Sequence, residues 1–113
     1  MIRLATVFSG IGAPEEALKQ LHIDHEIVFA CDNGERYSDI TKEAIGAEIA
    51  ENPDKTVQDI VKEAYDSTNK PNNVKKTYFA NYDISEAEWY EDIRFIDGYP
   101  YKGKVDILVG GSP

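Results

Sequence analysis

Apolar residues fall first in short unbroken runs and later in helical stripes. Residues 4–8, LATVF, form a near-continuous apolar run that is partly β-branched. That pattern predicts a strand buried on both faces, as in a parallel sheet. SGIGAP follows, and Pro14 suits the first turn of a helix, where a missing N–H costs nothing. In EEALKQL, Ala17, Leu18 and Leu21 share one face, and Glu15 and Glu16 suit the positive end of the helix dipole. EIVFAC, residues 26–31, predicts a second strand that stops at the turn-forming DNG.

From Tyr37 the period becomes helical. Tyr37, Ile40, Ala44, Ile45 and Ile49 form one stripe, and NPD at residues 52–54 interrupts it. Val57, Ile60, Val61, Ala64 and Tyr65 form a second stripe. NKPNN, residues 69–73, reads as a polar loop, and KKTYFA, residues 75–80, as a third strand. DISEAEWYEDIRFI looks like a helix start, because Ser85 and Glu88 have capping-box spacing. DGYPYKG reads as loop and VDILVGG as a fourth strand. The alternation predicts an α/β fold: a Rossmann-like, mostly parallel sheet in the order 3-2-1-4 with helices on both faces. A helical insert at about residues 37–68 elaborates it. The length of 113 residues favours one domain.

Composition narrows the function. The formal net charge of -9 argues against a broad nucleic-acid surface, which needs clustered Lys and Arg. The most basic short run is Lys75-Lys76, with Lys70 nearby. Any DNA contact is therefore expected elsewhere, with little from this acidic piece. No apolar run approaches the ~20 residues of a membrane span, and the N-terminus lacks a signal-peptide pattern. A cytoplasmic protein with no membrane contact is expected. One cysteine, Cys31, is too few for a thiolate zinc site, and no metal is expected. Cys31 and the histidines, His22 and His25, read as a core thiol and surface side chains.

Strand, glycine turn and helix make the opening unit of a nucleotide-binding βαβ fold. Gly10 and Gly12 let the backbone turn tightly and approach a ligand, although a tight turn without a ligand has the same pattern. Asp32, at the tip of the second strand, can accept hydrogen bonds from ribose hydroxyls or cap the turn. Asp83, after the expected third strand, can meet an exocyclic adenine amine or cap the turn before Ser85. A dinucleotide fingerprint wants a third glycine where Glu15 stands. Carboxylates at the loop mouth would repel a pyrophosphate. They would tolerate S-adenosylmethionine, whose sulfonium and ammonium are positive.

TVFSGIGAPEEAL resembles the first motif of the cytosine-C5 DNA methyltransferases, with Phe8, Gly10 and Gly12 as its core. FACDN resembles the family's second motif and YDIS its third. DILVGGSP is similar to the start of the fourth. The resemblance implies S-adenosylmethionine as cofactor and methyl transfer to C5 of cytosine in DNA. It implies that Phe8 packs on the adenine ring and that the backbone of Ser9, Gly10, Ile11 and Gly12 holds the methionine part. Asp32 would bind the ribose, Asn33 would lie beside the adenine, Asp83 would meet its amine and Ile84 would pack on the ring. Pro113 would sit near the methyl donor. Thr6 stands where many members have Asp, and Asn33 where some have an aromatic. The family's nucleophilic cysteine would follow Pro113 immediately, so no catalytic residue is expected within these residues, and the chain alone is expected to be inactive. It would be the N-terminal part of the cofactor-binding domain, with DNA held by the remainder. An exposed fourth strand would favour self-association. Two other readings remain: a NAD- or flavin-dependent oxidoreductase domain, and a non-catalytic interaction module on the same scaffold.

Overall fold

The computed structural model describes residues 1–111. Four strands form one parallel sheet: β1 (Ile2–Val7), β2 (His25–Cys31), β3 (Trp89–Tyr90) and β4 (Ile107–Gly110), in the order β3-β2-β1-β4. The α/β class and the strand order are as the apolar pattern predicts. Four helices accompany the sheet: α1 (Ala13–Gln20), α2 (Lys42–Glu51), α3 (Val57–Asp66) and α4 (Asn73–Asn81). None is long and apolar enough to cross a membrane.

The third strand lies elsewhere than expected. KKTYFA belongs to α4, not to a strand. Asn72 caps this helix by accepting from the Lys75 N–H at 2.9 Å. Val74, Tyr78 and Tyr82 then recur every four residues and cluster with Ala30 and Trp89 of the sheet. That shared face outweighs the β-propensity of Thr77, Tyr78 and Phe79. The expected helix after Asp83 is one 3₁₀ turn, Glu86–Glu88. Its Ser85–Glu88 capping box is present. The chain must then extend, because Trp89 and Tyr90 pair with Ala30 and Cys31 as β3.

Register assigns the faces. Thr6, Ala30 and Trp89 align on one face, which α1 and α4 cover. Ala5, Phe29 and Tyr90 point to the other. There Phe29 meets Tyr101 of the 3₁₀ turn Tyr99–Tyr101, with centroids 4.7 Å apart. The helical insert packs separately: Ile45, Ile60, Val61 and Tyr65 are buried together, with Phe95 against them. The first expected stripe departs at Tyr37 and Ala44, which are exposed, and Thr41 is the cap of α2. The Gln58 amide joins this unit to the free edge of β3 by donating to the Trp89 carbonyl at 2.5 Å. At the opposite edge Ile107, Leu108 and Val109 of β4 are exposed.

Candidate functional site

Parallel strands place all their carboxyl ends on one edge, where open α/β sheets bind ligands. Here that edge carries a cleft of about 350 Å³, lined by Phe8, Gly10, Asp32, Asn33, Asp92 and Ile93, with Glu35, Glu91 and Cys31 around them. Phe8 leaves β1 with φ 52° and is 42% exposed. A bulky residue in the left-handed region is strained, and such strain persists where the surroundings impose it. Gly10, at φ 56°, has open space where a Cβ would stand.

Asp32 holds this loop against the tip of β2. Its Oδ2 accepts from the Gly10 N–H at 2.9 Å and its Oδ1 from the Gly34 N–H at 2.8 Å. The turn-capping role is thus realised, and each oxygen retains a second acceptor site. Asn33 is exposed beside it, its Oδ1 accepting from the Glu35 N–H at 3.0 Å. Ser9 lies beneath: its hydroxyl accepts from the Cys31 N–H at 3.0 Å and lies 2.7 Å from the Thr6 hydroxyl.

Other expected residues take different places. Ile11 is 67% exposed and does not line the cleft. Gly12, at φ 89°, faces the Tyr82 ring, which a Cβ would strike, and its carbonyl accepts from the Tyr82 hydroxyl at 3.0 Å. Its glycine serves helix packing. Asp83 and Ile84 precede β3 instead of following it, because the third strand begins at Trp89. Asp83 sits beside His25 and Glu26, at the amino end of β2, so it is on the opposite edge from the glycine loop. Ile84 packs on the Ala30–Tyr78–Trp89 cluster. Pro113 lies outside the described residues. Glu15 is fully buried and bonds the Tyr78 and Thr6 hydroxyls, so it is not at the loop mouth.

At the tip of β3 stand Glu91, Asp92 and Ile93, which the sequence reading missed. The signal was available: Asp92-Ile93 repeats the Asp83-Ile84 dipeptide one residue after the aromatic pair Trp89-Tyr90. Burial pushes the Asp92 carboxyl up, but hydrogen bonds from Arg94 and Tyr65 outweigh it and hold it below the ordinary range. Glu91 accepts from Arg36 at 2.7 Å and from the Asn72 amide at 2.8 Å. Asn72 also donates to the Asp32 carbonyl at 3.0 Å, tying α4 to both strand tips. Gly34 makes that approach possible, since a Cβ there would collide with Asn72.

The lining contains four carboxyl groups, Asp32, Glu35, Glu91 and Asp92, and no lysine or arginine among the described residues. Glu91 and Asp92 are paired with Arg36 and Arg94, whereas Asp32 and Glu35 have no ion pair among the described residues. The cleft therefore favours a positively charged or zwitterionic ligand. The Cys31 thiol at its floor is pushed up to about 12, first by burial and then by the charge of Asp32. It is a protonated wall, not a nucleophile. Comparison with protein-family models, curated proteins and solved structures yields no match to this chain.

Proposed function

We propose that this chain is the S-adenosylmethionine-binding portion of a DNA cytosine-C5 methyltransferase. The observation that carries the reading is the acidic cleft beside Phe8 and the open Gly10, without lysine or arginine in its described lining. It suits a sulfonium and an ammonium and disfavours the pyrophosphate of NAD or a flavin dinucleotide. When bound, the cofactor supplies an electrophilic methyl group. Phe8 offers an exposed ring for the adenine, and Asn33 lies beside it. The second acceptor sites of Asp32 serve the ribose hydroxyls. Ile93 takes the ring-packing role that the resemblance first attached to Ile84, because it lies at the tip of the true third strand, while Asp92 stands beside it with both oxygens engaged by Arg94 and Tyr65. Gly10 lets the methionine part approach the backbone.

Methylation at C5 also needs a thiolate at C6 of the cytosine. Cys31 does not supply it, being buried and protonated. The 113-residue chain is expected to hold the cofactor and leave DNA unmethylated. Calorimetry with S-adenosylhomocysteine and NADH tests the reading. Phe8→Ala and Asp32→Ala should each weaken S-adenosylhomocysteine binding by roughly tenfold, about 1.4 kcal/mol. Tight NADH binding with no response to S-adenosylhomocysteine would overturn it in favour of an oxidoreductase.

A further inference from the structure

Five of the chain's twelve lysines and arginines line a single cleft of about 570 Å³: Arg36, Lys62, Lys70, Lys75 and Lys76. Only three of its 21 acidic residues do so, Asp66, Glu86 and Glu91. This spot is locally positive in a chain of net charge -9. The three carboxylates are already engaged, Glu91 and Asp66 by Arg36 at 2.7 and 3.3 Å, and Glu86 by Lys75 at 2.7 Å. The outward-facing cations are less committed. Lys62 reaches Asp66 only at 3.8 Å, and the Lys70 ammonium donates to the Glu35 carbonyl at 3.1 Å. Lys76 is exposed and has no ion pair among the described residues.

The cleft lies between α3, the connection to α4 and the start of α4. Asn72 binds that start to the β2 tip, so the basic cleft opens on the same sheet edge as the acidic one, and Glu91 borders both. Three exposed lysines on flexible stems suit the repeated charges of a polymer backbone better than one small anion. We propose that this cleft docks the sugar-phosphate backbone of duplex DNA, an inference whose choice of polyanion rests on the function proposed above. It revises the expectation that this acidic piece contributes little to a DNA contact.

Anisotropy of a labelled duplex of about 20 base pairs tests it, with the 113-residue chain titrated across salt. Three neutralised phosphates predict a fall in affinity of roughly 40-fold between 50 and 200 mM salt. The variant Lys62→Glu/Lys70→Glu/Lys76→Glu should lose binding at 50 mM. Lys42→Glu/Lys102→Glu/Lys104→Glu, with the same charge change outside the cleft, should keep the salt slope. The neutral pair Lys70→Gln/Lys76→Gln gives the same test, with a slope reduced by about two-thirds, should the triple reversal not fold. No binding by the parent chain at 50 mM, or equal losses in the cleft and control variants, would overturn the proposal. So would equal binding of polyglutamate. Calorimetry with S-adenosylhomocysteine on the same samples reads the function separately: DNA docking without cofactor binding removes the methyltransferase reading and leaves the cleft's polyanion site standing.

Discussion

Glu15 and Tyr78 form a buried polar contact whose energy can be isolated. Both are fully buried, and the Tyr78 hydroxyl donates to Glu15 Oε2. Glu15 has one other donor, the Thr6 hydroxyl at 3.2 Å, and its Oε1 has none. Burial first, and then the Glu15 hydrogen bond, raise the Tyr78 hydroxyl above its ordinary range. Tyr78→Phe keeps the ring against Trp89 and removes only the donor. A hydrogen bond contributes about 0.5–1.5 kcal/mol net, and stranding the buried acceptor adds a desolvation cost of about 1–3 kcal/mol. A loss of about 2–3 kcal/mol is expected, or roughly 10 °C in Tm. Glu15→Met should cost about 1–2 kcal/mol by leaving the Tyr78 hydroxyl without an acceptor. The double variant removes both polar groups and should lie within about 1 kcal/mol of the parent. Urea unfolding followed by fluorescence suits the cycle, because Trp89 is the sole tryptophan, is buried and lies 5.4 Å from Tyr78. Equal stability of Tyr78→Phe and the parent, or a double variant with the two single losses simply added, would refute the reasoning.

Two further outcomes are expected. The Cys31 thiol stays protonated in the fold up to about pH 12, whereas the unfolded chain loses its proton near 9. Its contribution is therefore full below about pH 9 and is lost as pH rises from there towards 12. Native protein at pH 9.5 should show no thiolate absorbance at 240 nm, and a thiolate signal from folded chain would contradict this. The exposed apolar residues of β4 should drive association of the 113-residue chain, with Leu108→Lys shifting it towards monomer in sedimentation; a parent chain that is monomeric at high concentration counts against it.

The two leading strands and the glycine turn between them were legible because burial on both faces writes a continuous apolar run. The helices α2 and α3 were legible from their stripes, and the structure adds the capping box of Thr56 with Asp59 that opens α3. The third strand was not, because β3 has only two residues, too few to show a period. Local signals pointed the wrong way on either side of it: Thr77, Tyr78 and Phe79 favour a strand yet lie in a helix, and Ser85 with Glu88 promises a helix that stops after one turn. That single displacement put the expected adenine-edge pair at Asp83-Ile84, whereas Asp92-Ile93 stand at the tip of β3. Glu15 shows a second limit. Its place after the glycine turn was plain, but the turn of its side chain towards Tyr78 depends on α4, which the strand assignment had removed. Among the described residues, the carboxylates at the cleft without an ion pair are Asp32 and Glu35, not the Glu15 and Glu16 expected there.

The division of the interior into two apolar clusters has a mechanical consequence. The cluster of α2 and α3 shares no buried member with the Ala30–Tyr78–Trp89 cluster. Polar joints span the seam: Gln58 on the Trp89 carbonyl, Tyr65 on Asp92, and Arg36 on Asp66. Water can replace such joints far more readily than it can replace the apolar contact of Phe95, so the helix pair is expected to open at a lower cost than global unfolding. Each opening would take the Tyr65 hydroxyl away from Asp92. The wall of the acidic cleft thus leans in part on the helical insert, through the Tyr65 hydroxyl.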